Sequence, residues 1–161
     1  MDYRSQILFC DNPAKIDLEQ LLALLRQTAF WAQERSRDDL AIAIANSNPV
    51  ISVWDGGKLI GFARATSDCV YRAAIWDVVI HPEYRGAGLG SKLVETVLSH
   101  PRLNRVERVY LTTTYQAKFY ERIGFQKNSS TTMVLHNTSD YSTSPILESQ
   151  VAPEEENTAV V

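Results

Sequence analysis

Three glycines in five positions, Gly86, Gly88 and Gly90, stand between a stretch with the pattern of a strand and one with the pattern of a helix. Ala74 to Ile80 is rich in β-branched and aromatic residues, and Pro82 stops it. From there on, Leu89, Leu93, Val94, Val97 and Leu98 recur at helical spacing. Glycine loses more backbone entropy on folding than any other residue, so a loop this rich in it would be costly as a mere joint. What the bare backbone allows is close approach of an anion to the first N–H groups of the helix. Those groups lack internal partners and lie at the positive end of the helix dipole. Arg85-Gly86-Ala87-Gly88-Leu89-Gly90-Ser91 therefore reads as a phosphate cradle with a cation at its mouth.

Two familiar phosphate loops do not fit. A P-loop needs Gly-Lys-Ser/Thr five residues after its first glycine, but Ser91 holds that place and Lys92 is followed by Leu93. A dinucleotide fingerprint needs its third glycine where Ser91 stands.

The 161 residues suit one domain, expected over residues 1–136, and 45% hydrophobic composition is ample for a core. Five of the nineteen acidic residues, Asp140, Glu148, Glu154, Glu155 and Glu156, lie in a stretch without Lys or Arg from Asn137 onward. The remainder is nearly neutral, with 16 basic against 14 acidic residues, which gives no support for nucleic-acid binding. Residues 137–161, rich in Ser, Thr, Pro and Glu, are expected to be a disordered acidic tail. No apolar run approaches a membrane span, and no signal or transit pattern opens the chain, so a soluble, cytoplasmic protein is expected. Cys10 and Cys69 are too few and too isolated for a disulfide framework or a metal site, and are expected to be buried thiols.

Gln6 to Cys10 reads as a first strand. Asp17 can cap a helix whose apolar face is Leu18, Leu21, Leu22 and Leu25, with Gln20 placed to complete a capping box. Arg37 to Ala45 reads as a second helix with Asp38 and Asp39 in its first turn. Between the two, Phe30 and Trp31 either cover the core or wall a pocket. Val50–Asp55, Gly56-Gly57 and Lys58–Thr66 make a hairpin, and Val70–Ile80 continues the meander. After the glycine-rich helix come a strand at Glu107–Thr112, a short helix at Ala117–Ile123 stopped by Gly124, and a last strand or hairpin within Phe125–Leu135. The expected fold is α/β (α+β): a mixed, mostly antiparallel sheet of roughly six to seven strands flanked by about four helices.

Arg85, Gly88 and Gly90, followed by Ala117, Tyr120, Gly124 and Phe125, resemble two motifs of the GNAT acetyltransferases, Arg/Gln-x-x-Gly-x-Gly/Ala and Ala-x-x-x-Tyr-x-x-x-Gly-Phe. The resemblance covers roughly residues 50 to 126, and the element order extends it toward the N-terminus. It implies the GNAT fold and transfer of an acetyl group from acetyl-coenzyme A to an amine. It also implies that the cradle, Arg85 to Ser91, holds the pyrophosphate, and that backbone N–H groups of Val78, Val79 and Ile80 hold the acetyl oxygen and pantetheine arm. The implied acid that protonates the departing sulfur is Tyr120.

Asp77 is a carboxylate inside an apolar strand, so it needs a partner or a role. Pairing with Arg64 or Arg72 and proton acceptance from the amine both remain open. Gly61–Asp68 followed by Ala74–Ile80 is similar to the plastid-type and cyanobacterial branch described as serotonin (arylalkylamine) N-acetyltransferases, whose members are also associated with protein lysine and N-terminal acetylation. In that branch the Trp-Asp pair lies at the active site, which implies a substrate-binding role for Trp76. Thr112-Thr113-Thr114-Tyr115 departs from the family, many members of which carry Asn there, and threonine cannot serve as a base at neutral pH. The expected partners are a small-molecule amine, with protein lysine or a polyamine as alternatives, and neither nucleic acid nor membrane. Monomer and homodimer are both open, and the rival from another class is a silent acyl-coenzyme A-binding module.

Overall fold

Asp17 begins the first helix as its sequence suggests, with one carboxylate oxygen accepting from the N–H groups of Glu19 and Gln20 at 3.0 and 3.2 Å. The Gln20 side chain also reaches the neighbouring hairpin, where it donates to the Gly57 carbonyl at 3.1 Å and accepts from the Leu59 N–H at 2.9 Å. In the computed structural model, which describes residues 6–137, the elements run β1 (Ile7–Cys10), α1 (Leu18–Thr28), α2 (Arg37–Ala45), β2 (Val50–Asp55), β3 (Lys58–Ser67), β4 (Arg72–Ile80), α3 (Leu89–Ser99), β5 (Arg108–Tyr110) and α4 (Ala117–Ile123). The tail expected over residues 137–161 lies, apart from Asn137, outside the described residues.

Two compact units divide after Thr113. The first holds the sheet, ordered β1-β2-β3-β4-β5. Neighbours are antiparallel up to β4, and β4 pairs with β5 in parallel. A parallel pair needs a crossover, and α3 supplies it. Leu21, Leu25, Leu40 and Ile44 of α1 and α2 form one core with Val50, Phe62 and Val79. Leu93, Val94 and Val97 are the fully buried side of α3, which packs on β2, β3 and β4.

The sheet has five strands among the described residues, not six to seven. No strand forms within Phe125–Leu135: the polar run Gln126–Thr132 carries no alternating apolar face, and Met133, Val134 and Leu135 are exposed. β5 is also shorter than expected, ending at Tyr110. Both cysteines are free and half-buried where buried thiols were expected. Among the described residues no helix is long and apolar enough to cross a membrane.

Candidate functional site

β4 changes register in its middle. Phe62 pairs with Val79 and Arg64 with Trp76, so Ala63 faces two residues, Asp77 and Val78. This is a β-bulge, and Asp77 takes up its extra length at φ +56°, a left-handed conformation that a residue with a Cβ adopts at a cost. The bulge turns the Asp77 side chain toward Arg64, which sits opposite Trp76.

Asp77 is 8% exposed and its carboxylate lies among donors. Arg64 Nε donates to its Oδ2 at 2.7 Å, Arg35 Nη1 reaches the same oxygen at 2.8 Å, and Trp31 Nε1 approaches Oδ1 at 3.5 Å. Burial pushes the Asp77 pKa up, but hydrogen bonds and charge from Arg35 and Arg64 outweigh it and hold the carboxyl below its ordinary value. Of the two partners considered from sequence, Arg64 is present, while Arg72 bonds Glu107 instead. Arg35 was missed because nothing in Gln33-Glu34-Arg35-Ser36 marks it. The available signal was Asp77 itself, a lone acid in an apolar strand that calls for compensating cations.

Aromatic rings flank this cluster. Trp76 is 40% exposed with its indole N–H on Thr66 Oγ1 at 2.9 Å, and Trp31 is 42% exposed. Phe30, 62% exposed, meets Trp31 edge to face at 5.1 Å, so neither ring covers the core. Arg64 Nη1 donates to Ser47 Oγ at 3.1 Å. Ser47 and Thr66 line a cavity of about 480 Å3 with Asn46, Asn48, Asp11 and Arg102.

Beyond Ala74 no residue of β4 pairs with β5, so the rest of β4 has no strand on that side among the described residues. His81 donates its N–H to the Ile60 carbonyl at 2.7 Å; by antiparallel alternation Val79 faces β3 and the Ile80 backbone points to the unpaired side. Of the three N–H groups expected to hold the donor, that of Val79 is thus directed into the sheet, while that of Ile80 is available. The Ile80 carbonyl accepts from Arg85 Nε at 3.0 Å, which fixes the Arg85 side chain at the strand end.

The glycine loop follows. Gly86 and Gly88 have φ of +81° and +80°, and a Cβ on either would meet nothing within 4 Å. The glycines therefore serve the backbone conformation and leave the space before it clear, rather than relieving a clash within the protein. Gly88 caps α3 without a side chain, and Lys92 N–H bonds its carbonyl at 3.1 Å. Ala87 and Gly88 are exposed, Leu89 is half-buried and Gly90 is buried. The first N–H groups of α3 are thus not met by a side-chain cap, and the loop fits a pyrophosphate.

In the second unit Gly124, at φ +118°, ends α4 and the Phe125 N–H returns to the Tyr120 carbonyl at 3.1 Å. Phe119 and Phe125 meet the Tyr120 ring edge to face, at 4.9 and 5.8 Å. Tyr120 is 8% exposed, and burial pushes its hydroxyl up to about 12, so it keeps its proton throughout the neutral range.

The family model described as the Acetyltransferase (GNAT) family matches residues 18–125. An N-acetyltransferase of Pyropia yezoensis, ycf52, of uncharacterised activity, is 36% identical over 117 residues, 70% of this chain and 64% of that protein. A ycf52-like relative from Prochlorococcus marinus is 43% identical over 100 residues, 60% of this chain and 53% of its own length. A Glycine max protein named histone acetyltransferase TAP1 is 33% identical over 133 residues, 75% of this chain and 56% of that protein. The chain thus spans between about half and two thirds of the length of these curated relatives. Among solved structures, a GNAT-assigned protein from Xanthomonas campestris superposes with a TM-score of 0.72 at 27% identity, covering 77% of this chain and 87% of that one. Taken with the bulged β4 and the loop that follows it, these matches make the chain a member of the GNAT acetyltransferase family.

Proposed function

We propose that the chain is an acetyl-coenzyme A-dependent N-acetyltransferase acting on a primary amine, with an arylalkylamine such as serotonin as the first choice of acceptor. The observation that carries this reading is the loop itself: two left-handed glycines whose Cβ positions have no neighbour within 4 Å among the described residues, at a helix start without a side-chain cap. In this reading Arg85, Gly86, Ala87, Gly88, Leu89, Gly90 and Ser91 hold the pyrophosphate. The backbone of Ile80 on the unpaired side of β4, with that of Val78 in the bulge, holds the pantetheine arm, and Val79 supports them from within the sheet. Acetyl-coenzyme A supplies a thioester carbonyl; the amine nitrogen attacks it, the carbon–sulfur bond breaks, and the amine's proton leaves to solvent. Tyr120 keeps a proton ready for the departing thiolate, and residues 1–136 act as one domain.

Acceptor choice rests on exposed rings. Trp76 and Trp31 beside Asp77 offer faces on which an aromatic amine can stack, and the adjoining cavity has room for a small molecule. The name of the Glycine max relative favours a second reading, transfer to a protein lysine. A cytoplasmic location stays part of the proposal, although two Arabidopsis thaliana relatives are named as chloroplastic.

The test is release of free coenzyme A with serotonin, tryptamine, phenylethylamine, spermidine and a lysine peptide as acceptors. Selective turnover of the aromatic amines supports the first reading, and turnover of the peptide replaces it with the second. Tight donor binding without turnover of any acceptor leaves an acyl-coenzyme A-binding module.

A further inference from the structure

We propose that Asp77 is a positioning residue: an ion-paired carboxylate that fastens the α1–α2 connector to the β4 bulge and so sets the acceptor wall, instead of taking the amine's proton. The inference rests on the acetyltransferase reading for its meaning, and on four contacts for its geometry.

The connector, residues 29–36, carries Phe30 and Trp31 outward and buries Ala29 and Ala32. Its near end is held locally, where the Gln33 side chain donates to the Arg26 and Ala29 carbonyls at 2.9 Å each. Its far end is held locally by Arg26 Nη2, which donates to the Arg35 carbonyl at 3.4 Å, and across to another element by Arg35 Nη1 at 2.8 Å and Trp31 Nε1 at 3.5 Å, both on the Asp77 carboxylate. Arg64 of β3 closes the cluster from below at 2.7 Å, and through Ser47 Oγ at 3.1 Å it extends to the turn after α2. One buried carboxylate therefore ties together β3, the bulge of β4, the aromatic connector and the end of α2.

That arrangement argues against proton acceptance. Protonating Asp77 would leave two guanidiniums facing a neutral carboxyl, and both close contacts fall on the single oxygen Oδ2. The Asp77 side chain is only 4% exposed, which leaves an acceptor amine little access to it. The left-handed conformation at position 77 has a use in this account, since the bulge aims the carboxylate at the connector.

The decisive experiment compares Arg35→Gln, Arg35→Lys and Asp77→Asn in the full chain, using steady-state kinetics with the best amine and acetyl-coenzyme A, and amide hydrogen exchange of the ligand-free protein. A positioning role predicts that Arg35→Gln raises KM for the amine by about 10-fold while kcat changes by less than about 3-fold. KM for acetyl-coenzyme A should stay unchanged, and Arg35→Lys should recover most of the loss. Exchange over residues 30–35 should quicken by about 10-fold in Arg35→Gln with the sheet amides unaltered. Asp77→Asn should leave the pH dependence of kcat/KM where it was. A fall of about 100-fold or more in kcat for Asp77→Asn with loss of the acidic limb, set beside an unaltered amine KM in Arg35→Gln, would identify Asp77 as the base and overturn the proposal. Unaltered exchange in Arg35→Gln would overturn it as well. That measurement needs no substrate, so it decides the matter even if no amine in the panel is acetylated. Should Asp77→Asn fail to fold, the two Arg35 variants still decide.

Discussion

Arg64 on β3 and Asp77 on β4 meet across 2.7 Å at the one place where the two strands are out of step. The bond spans an irregularity that the backbone ladder alone cannot close, and Arg35 reinforces it from outside the sheet.

Stability should therefore depend on acid in a defined direction. The native pKa of Asp77 lies below its ordinary value of 3.8, so the pair's contribution is fully present above about pH 4 and is lost as pH falls through the native value. Asp77→Asn should cost about 2–4 kcal/mol at pH 7, less than a fully buried pair because Arg35 reaches solvent. Denaturant unfolding at pH 7 and at pH 3 checks this: the gap between wild type and variant should narrow at the lower pH.

Gly88→Ala separates the conformational role of the loop from its ligand role. The added methyl meets no described residue within 4 Å, so the variant should lose only about 1–2 kcal/mol from holding alanine at φ +80°. Affinity for acetyl-coenzyme A should drop by about 10-fold or more, because the methyl occupies the approach to the helix N-terminus. Calorimetric titration beside thermal unfolding reads both, and retained affinity would place the cradle elsewhere.

Replacing Tyr120 with phenylalanine keeps the ring between Phe119 and Phe125 and removes the hydroxyl. Turnover should fall by about 100-fold with donor affinity unchanged. Since burial raises the Tyr120 hydroxyl to about 12, the wild-type profile should show no falling limb from this group between pH 6 and 10. Turnover equal to wild type would remove Tyr120 from the chemistry.

Two guanidiniums around one carboxylate leave the acceptor side with a positive excess. Spermidine should have a kcat/KM about 10-fold or more below that of a monoamine at low ionic strength, and added salt should narrow the difference. Equal efficiency for both, independent of salt, would contradict that electrostatic picture.

What the sequence revealed follows from how local each signal is. The bounds of α2 and α4 and the hairpin of β2 and β3 are set by caps, turn glycines and periodicity within a few residues, and all were legible. The glycine loop was legible for the same reason. The bulge was not, because Ala74–Ile80 has the same apolar pattern whether or not one residue is extra, and the slip is defined against Ala63 on another strand. Trp31 lies 46 residues from Asp77 along the chain, and Arg35 nearly as far, so their meeting is a product of the fold. The strand expected after Phe125 failed for a complementary reason: Met133–Leu135 is a short exposed run that pairs with no strand among the described residues, and β propensity alone does not make a strand.

The order β1-β2-β3-β4-β5 gives every strand its predecessor as its neighbour in space. A chain emerging from the ribosome can pair β2, β3 and β4 as soon as each is made, because these two pairings need no long loop closure. The two edge strands pair across helices, β1 with β2 over α1 and α2, and β5 with β4 over α3. Assembly of the sheet should thus begin at the β2–β3–β4 meander by short steps and finish more slowly at its two edges, one of them the strand whose early departure from β4 leaves that strand's end unpaired among the described residues.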